Sequence, residues 1–361
     1  MKIALSGYYG FDNAGDEALL SAITSTIKKQ EPDCDFVIFS GHPQRTSQLH
    51  GMRAIYYMNP LAVIKELAGA DLLISGGGSI FQDVTSSRSL AYYIAVVALA
   101  RTLRVPVIFY AQGMGPINRP CNRTLMRLVA NRVNMITLRD QDSALYLKKL
   151  GIKQPPVSIT ADPVFSLQPG PAARERALSI LAQSGVSGCP LLGVALRNWP
   201  ALDNRMGDLA RLLDEFAGRG YRVVFIPMAF PEDVEAGRRV AAMMKAEPYR
   251  LEQRLNSQEY LALIANMDLM IGMRLHALVF AANQGVPFAG IPYDPKIEAF
   301  LQQFSLEPLP DDLTGMRQAV SHLLDDQASR VAIERKAGEM RSKAEETARL
   351  ALGLIRRKQG K

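Results

Sequence analysis

Short apolar runs alternate with amphipathic stretches along the whole chain. The runs are "KIALS", "CDFVIFS", "DLLIS", "VPVIFYA" and "MITLR", then "LLGVALR", "YRVVFIP", "DLMIG" and "VPFAGIP". Continuous apolar runs of this length, separated by helical segments, predict parallel strands covered by helices on both faces. A Pro/Gly-rich break near Pro169–Pro171 divides the series. Two domains are therefore expected, over residues 1–168 and 172–325, followed by a helical tail over 326–361.

The two halves echo one another. "AGADLLISGGGS" (68–79) aligns without a gap with "ANMDLMIGMRLH" (265–276), and each is followed by an apolar helix and a "VP" strand. Both describe a strand that starts at an Asp and ends in a loop. Doubly wound sheets bind ligands beyond the carboxyl ends of their strands. Two such domains facing a central cleft would set Gly76, Gly77, Gly78 and Ser79 opposite Arg274 and His276.

Composition narrows the class. The 361 residues are 48% hydrophobic and 21% charged, as in a packed globular protein. Three cysteines at unrelated spacings give neither a disulfide framework nor a zinc site, so a reducing, cytoplasmic setting is expected and no metal is called for. The N-terminal apolar stretch lacks a signal-peptide layout, and the longest apolar run, Leu90–Ala100, is too short to cross a bilayer.

The net charge of +7 is concentrated in the tail, where residues 326–361 hold ten Lys/Arg and five Asp/Glu. No aromatics interleave with those basic residues, which argues against nucleic acid. Ile333, Ala337, Met340, Ala344, Ala348, Ala351 and Ile355 form one helical stripe, predicting a helix packed on the body. Attraction of its charged face to an anionic membrane surface or a diphosphate-bearing substrate stays open.

Candidate chemistry sits in the loops. Arg274 and His276 stand two residues apart where a strand gives way to a helix, and Lys296 follows the next strand. A guanidinium, an imidazole and an ammonium beside a helix N-terminus suit a small, multiply charged anion. Equally, Arg274 can pair with a local carboxylate and His276 can be a core histidine. Arg139, at the end of "MITLR", would add a fourth cation.

The opening loop "GYYGFDNAGDEALL" carries Gly7, Gly10 and Gly15, which do not fit the dinucleotide spacing, and no acid ends the second strand. An NAD-dependent oxidoreductase is disfavoured on this ground. Asn13 and Asp16 can cap a helix, but Asp12, Asp16 and Glu17 together exceed that need. Carboxylates suit a hydroxyl-rich neutral substrate, which they can bind and deprotonate.

These stretches, with "ISGGGSIFQD", "LRDQDS", "ADPVF" and "GMRLHALVFAANQGVPFAGIPYDPKI", resemble the polysaccharide pyruvyltransferase family, in particular the cell-wall ketal pyruvyltransferases of the CsaB type. The likeness runs from residue 2 to about 308, with five motifs in order. It implies a GT-B-like pair of Rossmann-type domains, phosphoenolpyruvate as donor, no cofactor, and a cyclic pyruvate ketal as product. In the CsaB type the acceptor is a lipid-diphosphate-linked disaccharide containing N-acetylmannosamine.

By motif, Arg139, Arg274, Leu275, His276 and Lys296 correspond to donor-binding positions. Ketal formation requires a general acid and a general base. His276 and either Asp16 or Glu17 are the candidates, with Gly10, Asp12, Asn13 and Gly76–Ser79 on the acceptor side. A GT-B nucleotide-sugar glycosyltransferase remains the alternative, with Glu298 the one nearby acid for a ribose, and a non-catalytic glycan-binding protein is a third.

Overall fold

The computed structural model describes residues 1–84, 86–186 and 188–358. Two compact units result. The first comprises Met1–Asp12, Asp16–Leu167 and Met340–Lys361; the second comprises Asn13–Gly15 and Gln168–Glu339.

The first unit is built on a seven-stranded sheet of β1 (Lys2–Tyr9), β2 (Asp35–Ser40), β3 (Arg53–Tyr56), β4 (Leu72–Gly76), β5 (Val107–Gln112), β6 (Met135–Leu138) and β7 (Val157–Ile159). Its order is β3-β2-β1-β4-β5-β6-β7, and every pairing is parallel. The second unit carries β8 (Leu191–Ala195), β9 (Arg222–Phe225), β10 (Tyr249–Arg250), β11 (Leu269–Gly272) and β12 (Phe288–Gly290), in the order β10-β9-β8-β11-β12, again all parallel. The two orders superimpose, β1 on β8 and β4 on β11. In each sheet the chain reverses direction of growth between that pair, which makes their carboxyl ends the expected ligand crevice.

Alternation along the strands supplies two cores in the first unit. Ile3, Leu5, Ile74 and Ile108 pack with Leu20, Ile23 and Ile27 of the helix Ala14–Gln30. Ala4, Leu73, Val107 and Phe109 face the opposite layer, with Leu67, Leu90, Ile94 and Met126. A strand buried on both faces needs apolar side chains at every position, which is why these runs are continuous. The second unit repeats the plan with Leu192, Val194, Leu269 and Ile271 against Leu209, Leu213 and Val320.

The tail is one helix, Gln327–Lys358, rather than a separate body. Its first part through Glu339 counts with the second unit and the remainder with the first. All seven positions of the apolar stripe, from Ile333 to Ile355, are buried. Ala348, Ala351, Leu352 and Ile355 complete the core under β1 and β2, so burial of this face fixes the helix in place. Among the described residues no helix is long and apolar enough to cross a membrane.

Candidate functional site

In the first unit the relevant loops follow β1, β4, β5 and β6. Glu17 is held by two partners: Oε1 accepts the Gly10 N–H at 2.8 Å, and Oε2 lies 2.6 Å from Nε2 of His50. With both oxygens engaged, Glu17 is an organiser of the loop. Asp12 pairs with Arg45. In the segment Asn13–Gly15, which counts with the second unit, the Asn13 side chain accepts the Gly15 N–H at 3.0 Å, as in a helix cap.

Asp16 sits differently. A Cβ on Gly78 would lie 3.3 Å from its Oδ1, so the carboxylate rides over the Gly77–Gly78 turn. Both glycines have positive φ, 78° and 76°, which lets the turn fold back under that carboxylate. Burial, and then the Asp16 charge, push the Tyr93 hydroxyl up; the same two causes act on Tyr9. Both phenols are therefore neutral donors at any ordinary pH, and the Tyr9 hydroxyl donates to the Gly76 carbonyl at 2.7 Å.

The glycine run is less open to a ligand than its sequence implies. The Gly77 N–H is taken by the Tyr110 carbonyl, and the Gly78 carbonyl accepts from Gly113. Ser79 Oγ accepts from Arg139 Nη2 at 3.0 Å. Arg139 is buried, and its Nη1 donates to Asp162 at 2.9 Å. A buried guanidinium requires such a carboxylate, because an unpaired charge away from water is costly. Asp162 is a partner that sequence reasoning missed, although it stands in "ADPVF".

A row of rings borders this loop cluster. Tyr8 stacks on Phe11 at 4.4 Å, Phe11 meets Tyr57 edge-on at 5.6 Å, and Tyr57 meets Tyr92 at 5.0 Å. Nothing in the periodicity marks these residues, since they come from the end of β1 and the loop after it, the loop after β3 and the helix Ser87–Thr102.

In the second unit Arg274, Leu275 and His276 follow β11, and Lys296 follows the neighbouring strand β12. Arg274 ends the loop after β11, and Leu275 opens the buried helix Leu275–Asn283. Arg274 does pair with a local carboxylate: Nε donates to Asp233 Oδ2 at 2.8 Å and Nη2 to Oδ1 at 2.5 Å. The Asp233 side chain is fully buried and also accepts the Met228 and Ala229 N–H groups. Asp233 had no signal in the sequence beyond an acid near a helix start. Lys296 pairs with Asp294, the cap of the helix Pro295–Gln303. Arg139 belongs to the first unit, and Arg274, His276 and Lys296 to the second.

The segment Asn13–Gly15 counts with this second unit. The Ala14 N–H donates to the Met228 carbonyl at 2.9 Å, and Asn13 forms a bridge with Ala229. Gly15 abuts His276 so closely that a Cβ would stand 2.0 Å from Nδ1. Only glycine permits this approach. The glycine at position 15 of the opening loop thus serves the histidine of the second half.

Two Rossmann-type parallel α/β domains with loops of this kind define a GT-B-class protein. The family described as polysaccharide pyruvyl transferase matches residues 13–295, and the chain belongs to that family. It is accordingly a transferase of polysaccharide biosynthesis. The amylovoran biosynthesis protein AmsJ of Erwinia amylovora is 22% identical over 373 residues, covering 88% of this chain and 89% of that one. Among solved structures, the UDP-GlcNAc 2-epimerase of Methanocaldococcus jannaschii superimposes with a TM-score of 0.70 at 11% identity, over 98% of this chain and 100% of that one. The Neisseria meningitidis UDP-GlcNAc 2-epimerase, bound to UDP-GlcNAc, gives 0.66 at 12% identity, over 98% and 99%. Likeness at such identities speaks for the fold alone.

Proposed function

We propose that the protein moves pyruvate from phosphoenolpyruvate onto two hydroxyls of a sugar, forming a cyclic ketal and releasing phosphate. The observation that carries this reading is the Arg274–Leu275–His276 element of a family member, set at the carboxyl end of β11 with Gly15 against the imidazole. In this reaction C3 of the donor gains a proton and C2 becomes electrophilic. One hydroxyl adds to C2, phosphate departs, and the second hydroxyl closes the ring, so two acceptor protons are given up in all. His276 is the acid/base near the donor. Asp16, over the glycine turn, or Glu17, held by Gly10 and His50, is the base for the hydroxyls. Arg139, Arg274 and Lys296 are the donor-side cations, with Gly10, Asp12, Asn13 and Gly76–Ser79 shaping the acceptor side.

The acceptor is read as a lipid-diphosphate-linked saccharide, with N-acetylmannosamine the first candidate; a relative named for amylovoran biosynthesis supports the precursor of another polysaccharide equally. A lipid-linked acceptor sets the reaction at the cytoplasmic face of a membrane, where the basic surface of the C-terminal helix favours anionic headgroups.

The test is to incubate the protein with phosphoenolpyruvate and a panel of lipid-diphosphate sugars, then weigh the products and assay phosphate. Ketal-bearing product with matching phosphate release is expected, and Asp16→Asn or Glu17→Gln, whichever removes the base, should slow turnover about 10²–10⁴-fold while donor affinity holds. Turnover of a UDP-sugar instead, or no consumption of phosphoenolpyruvate with any acceptor, overturns the reading.

A further inference from the structure

We infer that Arg197, oriented by Tyr293 and flanked by Trp199, is a phosphate-binding site above the end of β11. Arg197 lies two residues beyond β8, half-buried. Its Nη1 donates to the Tyr293 hydroxyl at 3.1 Å, and its guanidinium carbon stands 4.9 Å from the Trp199 ring centroid and 5.4 Å from that of Tyr293. Tyr293 follows β12, and in the sheet β11 lies between β8 and β12. The Arg197–Tyr293 contact therefore passes over the carboxyl end of β11, from which Arg274 and His276 issue. This is also the point where the strand order reverses.

Charge balance separates Arg197 from the other cations. Arg139 is matched by Asp162, Arg274 by Asp233 and Lys296 by Asp294. Among the described residues no carboxylate lies within ion-pair distance of Arg197; a hydroxyl and two rings are its partners. Aromatic contact engages the faces of a guanidinium and leaves the in-plane N–H groups, of which Tyr293 takes one. The remaining fork fits two oxygens of a phosphate. Lys296, 5.8 Å from the Tyr293 centroid, adds positive charge on the same side.

The phosphate can be that of the enol phosphate donor, in which case the site rests on the function proposed above, or the diphosphate of a lipid-linked acceptor. Trp199 is the one tryptophan of the chain and is 40% exposed, so emission of the intact protein reports on this place alone. Emission is titrated with phosphoenolpyruvate, with a short-chain prenyl diphosphate sugar and with inorganic phosphate, and phosphoenolpyruvate binding is followed in parallel by calorimetry.

A saturable change with phosphoenolpyruvate is expected, with Arg197→Gln weakening its affinity roughly 10- to 100-fold, the worth of a hydrogen bond to a charged group. Tyr293→Phe, which removes only the orienting hydroxyl and should not disturb folding, is expected to weaken it less. A response to the diphosphate sugar alone keeps the site and assigns it to the acceptor. Silence of Trp199 with all three ligands, or unchanged affinity in Arg197→Gln for the ligand that moves the emission, overturns the site. Calorimetric binding of phosphoenolpyruvate in that silent protein would show that the donor reading outlives it.

Discussion

In the first unit β4 lies between β1 and β5; in the second, β11 lies between β8 and β12. Each begins after an aspartate that ties it to its neighbour in the same way. Asp71 Oδ2 accepts the Lys2 N–H at 2.9 Å, and the Asp71 N–H donates to the Lys2 carbonyl at 2.8 Å. Asp268 Oδ2 accepts the Leu191 N–H at 2.7 Å, and its N–H donates to the Leu191 carbonyl at 2.8 Å. One residue into each strand the correspondence continues, Leu73 bonding to Pro106 and Met270 to Pro287.

Beyond the strands the copies part. After β4 the chain turns through two glycines of positive φ and stays uncharged until Asp83. After β11 it enters a helix at once, bringing Arg274 and His276 to the edge. The same frame thus presents a backbone turn under a carboxylate in one domain and a cation with an imidazole in the other. The two domains share a frame and differ in the chemistry of their loops, as expected where sites are grafted onto a common scaffold.

The charged loop is the costlier one to disturb, which gives the largest expected effect. Arg274→Ala leaves the fully buried Asp233 carboxylate without its cation. A loss of about 3–5 kcal/mol in the second unit is expected, measured by urea unfolding. Arg274→Ala with Asp233→Asn should recover much of that loss, because a neutral amide needs no counter-charge. The double variant then sharpens the comparison: if it binds phosphoenolpyruvate as the wild type does, Arg274 is structural, and the donor is held by other groups.

Nine strands were legible because each is buried on both faces and so reads as an unbroken apolar run. The three missed, β3, β7 and β10, are short outer strands. Val157 and Ile159 of β7 are more than 40% exposed, and the Arg53 of β3 and Arg250 of β10 face water. An outer strand is stabilised by one neighbour and has little apolar content to announce it.

The tail helix was legible from its stripe, since a period of 3.6 carries from Ile333 to Ile355 of the 32-residue helix. The site was legible in part. Arg139, Arg274, His276 and the acids of the first loop could be named because they stand at the strand ends. Their partners could not: Asp233, Asp162 and His50 are each tens of residues away and reach their places through tertiary folding. The Arg197–Trp199 pair had a findable signal, a cation and the sole tryptophan just past the first strand of the second domain.

A smaller effect tests the shared frame. Asp71→Ala and Asp268→Ala each strip an acceptor from a strand-opening N–H, and each should cost about 1–2 kcal/mol in its own unit. Hydrogen exchange should report loss of protection at the start of β1 for the first and of β8 for the second. Markedly unequal costs would break the equivalence of β4 and β11.

The smallest effect concerns Asp83, where the uncharged loop after β4 ends. Burial pulls its carboxyl upward, but the Asn118 and Arg119 N–H groups and the Asn122 amide together hold it below its usual value. Those donors belong to the turn that opens the helix Pro120–Ala130, which Asp83 tethers from a distance. A carboxyl whose folded value is depressed stabilises the fold above its unfolded value, and that contribution fades as the pH falls through the folded value. Asp83→Asn should therefore be less stable than the wild type near neutrality, and the gap should close on acidification below about pH 4. Among the described residues no acid just past the β11 loop is held below its usual value in this way, so the closing gap should appear in the unfolding of the first unit only. A gap that stays constant down to pH 2 would mean that the Asp83 hydrogen bonds act without their charge, and the tether would then count as loop geometry shared by both domains rather than an electrostatic feature of one.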